Sequence, residues 1–382
     1  MIYFDNSATT KPHPEVLQSY VTAADKYFGN PSSINGLGAA AERLLSQSRS
    51  VTAKLLGVRS NEIVFTSGGT EGNNLAIKGT AIRHRSRGRH VITTAIEHAS
   101  VKGAFGQLEA LGFEVTYLPV NQAGSIDVQV LAESIRPDTI LVSVMHVNNE
   151  TGAIQPIEEI GRLLQNHPKV IFHVDNVQGI GKVPLDLKRA NIDLCTMSGH
   201  KFHGVKGTGI LYVREGVTID SILSGGQQEQ YYRPGTENVP GIVAMTKALR
   251  MSIEKQDVHI KQLEQIKAFA LNELRAMPQA VIHTPAHAAP HIINVSFPGL
   301  KPEVLVHALE EHDIYISTKS ACSSKAKDIS YVLLAMGVAE RTAQSAVRIS
   351  LSGQNTMEEM QQFITVLRRT VAKLYEVMRE TV

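Results

Sequence analysis

The sequence predicts an α/β protein with two parts: a large domain on a mostly parallel β-sheet, and a smaller α+β domain. Three observations lead there. Between residues 62 and 213, short apolar runs alternate with amphipathic helical patterns, as in strands joined by crossover helices. After about residue 250 the alternation gives way to long helical stripes around two short apolar runs. The chain has 382 residues, 43% hydrophobic and 19% charged, enough apolar material for more than one core.

Taken in order, "EIVFTSG" (62–68) reads as a strand and "TEGNNLAIKGTAIRH" (70–84) as the helix after it. "HVITTAI" (90–96) is the next strand, with a helix near 99–111. "FEVTYLPV" (113–120), "TILVSVMHV" (139–147), "KVIFHVD" (169–175), "DLCTM" (193–197) and "TGILYV" (208–213) repeat the theme. Between them, "PIEEIGRLLQ" sets Ile157, Ile160, Leu163 and Leu164 on one helical face. Leu263, Ile266, Ala270 and Leu274 then stripe a long helix, and "HIINVSF" (291–297) and "DIYIS" (313–317) read as strands. Thr356 and Glu359 form a capping box ahead of a stripe of Met360, Phe363, Leu367, Val371 and Leu374. The expected division is residues 13–250 for the large domain. Residues 1–12 with 251–382 form the small one, which carries a loop at about 317–331.

Composition narrows the function. A formal net charge of +2 and 5% aromatic residues give no field or stacking surface for nucleic acid, and none for an anionic membrane. Two cysteines in a chain this long build no disulfide framework, which suits a reducing compartment. The start "MIYFDNSATT" is not a signal peptide, and no apolar run is long enough to span a bilayer. A cytoplasmic protein is expected.

Unusual polar residues recur where strands end. "EIVFT" runs into "SGGTEGN", "VITTAI" into "EHAS" with His98, and "ILVSVMHV" into "NNE" with Asn149. "VIFHV" ends in Asp175, with Gln178 after it, and "DLCTM" ends in Ser198, His200 and Lys201. In open α/β sheets ligands bind outside the carboxyl ends of strands, so five such ends point to one pocket. Gly68 and Gly69 would let backbone approach an anion, with Thr70 and a helix N-terminus adding donors. The pattern is neither G-x-G-x-x-G nor a nucleotide P-loop. Asp175 ends a strongly apolar run, so its carboxylate needs a cationic or hydrogen-bonding partner. That is either a structural ion pair or the acceptor for a protonated ring nitrogen. Lys201, partly buried at another strand end, would be a nucleophilic amine able to form a Schiff base. Lysine, carboxylate and anion cradle are the parts that pyridoxal phosphate requires. His200 and His203 lack a third ligand at zinc spacing, so no metal is expected.

"SGGTEGNN", "EHAS", "MHVNNETG", "HVDNVQ", "SGHKFHGVKGTG", "RPGTEN" and "SACSS" together resemble the class I, NifS/IscS-like cysteine desulfurases. These are fold-type I pyridoxal phosphate enzymes of the class V aminotransferase group. The likeness runs from "DNSATT" at 5–10 to "VRISLS" at 347–352. It implies that Lys201 holds the cofactor aldehyde, Asp175 pairs with the ring nitrogen and Gln178 bonds the phenolic oxygen. His98 would stack on the ring and move protons. Gly69, Thr70, Ser198 and His200 would hold the phosphate. Thr236 would reach the phosphate of a partner subunit, implying a homodimer. Asn149 and Arg348 would position L-cysteine, with Arg348 on its carboxylate.

Cys322 sits in "TKSACSSKAK", among serines and lysines that favour its thiolate. Cys195, inside a strand, is assigned to packing. In the resembled family the loop cysteine takes sulfur from the substrate as a persulfide and passes it to an acceptor protein. That acceptor is an iron–sulfur scaffold, or a sulfurtransferase of tRNA thiolation or of the thiamine pathway. This chain has "STKSACSSK" where the family tends to have glycine and serine before the cysteine, and Pro234 where many have serine. Those departures, and the absence of a long tail, leave the acceptor open. A selenocysteine lyase or an aminotransferase on the same fold is the alternative.

Overall fold

A computed structural model of the chain describes residues 1–318 and 329–380. The elements run β1 (Ile2–Tyr3), α1 (Pro14–Lys26), α2 (Gly36–Leu55), β2 (Ile63–Thr66), α3 (Gly69–His84), β3 (His90–Thr94), α4 (Ala99–Ala110) and β4 (Glu114–Leu118). There follow α5 (Val128–Ser134), β5 (Thr139–Met145), α6 (Ile157–Leu164), β6 (Ile171–Asp175), β7 (Leu194–Ser198), β8 (Gly209–Val213), α7 (Val239–Glu254) and α8 (Gln256–Arg275). The rest are β9 (Val281–Ile282), β10 (Ile292–Ser296), α9 (Pro302–Glu310), β11 (Ile314–Tyr315), α10 (Tyr331–Ala335), α11 (Glu340–Ala343), β12 (Ala346–Ser350) and α12 (Met357–Glu380).

A seven-stranded sheet has the order β2-β8-β7-β6-β5-β3-β4. Every strand runs the same way except β8, which is antiparallel to both neighbours. The exception has a local cause. The link from Ser198 to Gly209 is too short for a crossover, so the chain turns straight back. Strands β3, β5, β6 and β7 are buried throughout, which is why they read as continuous apolar runs. On one face Ile92, Val142, Phe172 and Val174 pack towards Ile160, Leu164, Met245 and Leu249. On the other, Val91, Leu141 and Leu194 meet Leu75, Ile77, Phe105 and Leu108 of α3 and α4.

Helices α1 and α2 do not stand out in the sequence patterning. They pack on α7, contributing Val16, Ala41 and Leu45 to that core. Asn35 caps α2 by accepting from Gly38 N–H at 2.9 Å.

The second sheet, β12-β10-β9, is antiparallel. Its cover is the predicted pair of stripes: Leu263, Ile266, Ala270 and Leu274 of α8, and Met360, Phe363, Leu367 and Val371 of α12. The capping box forms. Thr356 N–H donates to Glu359 Oε2 at 3.1 Å, and Glu359 N–H to Thr356 Oγ1 at 3.2 Å. The chain start joins this region: β1 pairs in parallel with β11, and Phe4 meets Phe363 edge-on with ring centroids 5.4 Å apart.

Phe363 has no solvent exposure and supports Phe4. Phe363→Ala is expected to cost about 3–5 kcal/mol, read as a lower denaturation midpoint.

Candidate active site

Because β2, β3, β5, β6 and β7 are mutually parallel, their carboxyl ends share one edge of the sheet. A cavity opens there. Gly69, Thr70, His98, Asn149, Asp175, Gln178, Ser198, His200, Lys201 and Arg348 all line it. Of the remaining predicted residues, Thr236 does not: it lies exposed beside a separate cleft with Glu229 and Arg233. Cys322 and its neighbouring lysines fall outside the described residues.

Asp175 is 5% exposed at the end of β6, and its carboxylate is well held. Val177 N–H donates to Oδ1 at 3.0 Å and Asn73 Nδ2 to Oδ2 at 2.8 Å. Asn73 Nδ2 also donates to Ser100 Oγ at 2.9 Å. Ser100 in turn faces His98, its N–H donating to Nδ1 at 3.2 Å with its hydroxyl 2.9 Å away. One chain of bonds therefore ties the acid to the histidine. Asn73 and Ser100 were not singled out from sequence. The available signal was spacing: Asn73 stands four residues after Gly69, one helical turn into α3 and on the same face.

The Ser100 N–H fixes His98 Nδ1 as an acceptor, so a neutral ring carries its proton on Nε2. Burial lowers the His98 pKa, helped by Lys201 and Arg348 and opposed by Asp175. His98 is thus a neutral imidazole with one N–H left to offer.

Lys201 closes a 3₁₀ turn after β7. Its Nζ donates to the carbonyls of Ser7 and Ala8, the second at 2.9 Å. Gln178 Nε2 donates to the same Ser7 carbonyl at 3.0 Å. The start of the chain therefore lines the site, a contribution that the strand-end argument did not foresee.

Ser67 to Thr70, Ser198, His200 and Lys206 surround an adjoining hollow. Gly68 sits at φ +152°, a backbone angle that favours glycine. A Cβ there would stand 3.7 Å from Ser198 Oγ, inside the hollow, and one on Gly69 would press to 2.9 Å from Val177 Cγ2. The first amides of α3 open into the same place, free of intrahelical partners. Burial, then Lys201, Lys206 and Lys182, hold the His200 pKa down to about 3, so its ring is neutral and offers an N–H.

Arg348, on β12, is 1% exposed. Its Nη1 donates to the Asn149 carbonyl at 2.8 Å and its Nη2 to Asp5 Oδ1 at 2.9 Å. Nε has no partner among the described residues. The fork expected to meet a substrate carboxylate is thus partly engaged with Asp5, which anchors the guanidinium from behind.

Glu97, beside His98, went unnoticed in the sequence. It is fully buried, accepts from Thr94 Oγ1 at 2.8 Å and Met145 N–H at 2.9 Å, and burial raises its pKa to about 8. Its backbone carbonyl accepts from the Tyr331 hydroxyl, and Ser330 Oγ donates to buried Glu150 Oε2 at 2.5 Å.

The family model for class V aminotransferases matches residues 2–363. The chain belongs to the class V aminotransferase family. It is 47% identical over 367 residues to a NifS/IcsS protein homolog of Lactobacillus delbrueckii subsp. bulgaricus, covering 95% of each chain. It is 42% identical to a cysteine desulfurase IscS of Methanosarcina thermophila, over 98% of this chain and 92% of that one. A solved NifS-like protein superposes with a TM-score of 0.92 at 38% identity, over 97% of this chain and 99% of its own. Class V members of this kind depend on pyridoxal 5′-phosphate, and that is the cofactor of this chain. The site suits it. A glycine-lined hollow with hydroxyl, imidazole and amide donors fits a phosphate, a held carboxylate fits a pyridinium, and an amine shares the cavity. Gln178 Oε1 and Ser7 Oγ, both buried, have no partner among the described residues, so the wall has polar atoms to spare.

Two outcomes test this arrangement. Asn73→Ala removes the bridge between Asp175 and Ser100, and should weaken cofactor retention on dialysis about tenfold, in line with an outer-shell partner. Glu97 is ionised in the unfolded chain above its ordinary 4.5 but neutral in the fold up to about 8. The stability of the parent should therefore fall as pH rises between those values. Glu97→Gln should flatten that fall, as followed by thermal unfolding against pH.

Proposed function

We propose that the chain is a cysteine desulfurase that converts L-cysteine to L-alanine and leaves a persulfide on Cys322 for transfer to an acceptor protein. The observation that carries this reading is that the Lys201 amine and the Asp175 carboxylate line one cavity beside a glycine-walled hollow. The names of the relatives point the same way. Bound pyridoxal phosphate supplies the electron sink for charge developing at the substrate Cα.

The residues of the chain do the rest. Lys201 Nζ would bond the aldehyde carbon and then, once free, carry the α-proton. Asp175 would hold the ring-nitrogen proton, steadied by Asn73 and Val177. Gln178 would meet the phenolic oxygen, and Gly69, Thr70, Ser198 and His200 the phosphate. Asn149 and Arg348 would orient the amino acid, Arg348 with the donors that Asp5 leaves available. His98 would give its Nε2 proton to the departing fragment. The Cys322 thiolate would attack the substrate sulfur: an S–S bond forms, the substrate C–S bond breaks, and its electron pair goes to the Cβ that is protonated to alanine.

Three finer points belong to the same reading. Thr236 is exposed and away from its own cavity, which supports a homodimer in which it reaches the partner's phosphate. The acceptor would be an iron–sulfur scaffold, or a sulfurtransferase of tRNA thiolation or of the thiamine pathway, in the cytoplasm. Residues 13–250 would form the cofactor-binding domain, and 1–12 with 251–382 the small one. No described helix is long and apolar enough to cross a membrane.

Cys322→Ala should abolish sulfide and alanine release from cysteine while keeping the visible cofactor band; alanine and sulfide at the parental rate would defeat the proposal. Lys201→Ala should lose the covalent cofactor signal, read from the absorbance of the purified protein. An aminotransferase would survive the first change with its activity intact, since it has no use for Cys322.

A further inference from the structure

Part of the wall of the anion hollow is an acid. Glu71, in the first turn of α3, lines the hollow together with Gly69, Thr70, Ser198 and His200. A carboxylate that shares a hollow with a phosphate repels it. Lys206 is the other charged residue among the described ones lining the hollow, and an unanswered Glu71 would cancel its attraction.

Glu71 is answered from next door. Arg233 Nε donates to its Oε1 at 2.8 Å, and the Ser67 N–H donates to its Oε2 at 3.0 Å. Arg233 lines the neighbouring cleft with Thr236, and Ser67 and Gly207 line both spaces. The Glu71 side chain is 15% exposed and that of Arg233 25%, so salt and water screen the pair only in part. Burial pushes the Glu71 pKa up, but Arg233 and Ser67 pull it below the ordinary carboxylate range. The acid is therefore charged, and a guanidinium matches its charge.

The segment that brings Arg233 there is held in an uncommon backbone. Glu229, Gln230 and Tyr231 have φ +47°, +58° and +70°. Three consecutive non-glycine residues in the left-handed region persist only where their surroundings impose it. Glu229 is the anchor. It is 5% exposed, and it accepts from Arg49 Nη1 and Nη2 at 2.8 and 2.6 Å and from the Phe65 N–H at 2.7 Å. Phe65 belongs to β2, the strand that runs into Ser67 and Gly68. Pro234 then abuts Gly225, where a Cβ would stand 2.6 Å from Pro234 Cβ. The strained turn and the hollow thus hang on the same strand, and Arg233 starts towards Glu71 from a fixed place.

We propose that Arg233 is a positioning residue for the cofactor phosphate that acts through Glu71: by pairing with this acid it removes the repulsion that the hollow would otherwise exert on the phosphate. Lys206 and the first amides of α3 then attract the phosphate unopposed. Without Arg233, the Ser67 N–H would still hold the carboxylate in place, now uncompensated. The inference rests on the reading of the hollow as the seat of the phosphate.

Equilibrium dialysis of the holoenzyme against graded pyridoxal 5′-phosphate reads the affinity without turnover. Arg233→Gln should weaken it about tenfold, the order expected for one uncompensated charge facing a phosphate under partial screening. Adding Glu71→Gln to Arg233→Gln should restore most of the loss. A pair that serves stability alone behaves otherwise: the double variant would bind no better than Arg233→Gln. That result overturns the proposal, as does parental affinity in Arg233→Gln. Should Arg233→Gln fail to fold, Glu71→Gln decides: it should bind the cofactor more tightly than the parent, and equal or weaker binding overturns the proposal. The underlying reading fails separately. If Ser198→Ala retains the cofactor as the parent does, the phosphate is seated elsewhere and both fall. If Ser198→Ala weakens retention while Arg233→Gln does not, the role of Arg233 alone falls.

Discussion

The site is organised around one demand, a carboxylate placed at the end of a strand that water does not reach. Asp175 cannot remain charged there unless its lone pairs are answered. Asn73 and the Val177 amide answer them from two directions. Asn73 sits on the helix whose first turn forms the anion hollow, and its second bond leads through Ser100 to His98. Satisfying the acid thus fixes the helix, the hollow and the histidine together. Asn73 Oδ1 has no partner among the described residues, so the two bonds made by Asn73 Nδ2 set how accurately α3 must lie against β6.

The parallel sheet makes the convergence possible. Six strands deliver their carboxyl ends to one edge, five of them with site residues, and the single reversed strand, β8, contributes its amino end there instead. That difference explains why "TGILYV" is followed by no candidate of its own. The hollow is walled by Gly68 and Gly69 on one side and by Ser198 and His200 on the other, with β8 between β2 and β7.

Much of this was legible in the sequence, for reasons that name particular residues. Buried strands read as apolar runs, and the polar residues closing them stood out by contrast: His98, Asn149, Asp175, Ser198 and Lys201. The α8 and α12 stripes were visible through their 3.6-residue period. What stayed hidden depends on contacts between distant parts of the chain. Nothing local in "DNSATT" says that the Ser7 and Ala8 carbonyls will receive Lys201, or that Asp5 will hold Arg348 from behind. Helices α1 and α2 are amphipathic, but their apolar faces meet α7, far along the chain. Glu97 looked like an ordinary charged residue because its burial is a property of the fold alone.

The first residues of the chain and the last strand meet across the cavity. Asn6 N–H donates to the Ser350 carbonyl at 3.1 Å, β1 lies against β11, and Ser7 and Ala8 receive Lys201 from between them. A chain emerging from the ribosome therefore makes this segment first and can seat it only after residue 350 is out. Until that moment a translating chain has its sheet and its lysine but not a finished wall.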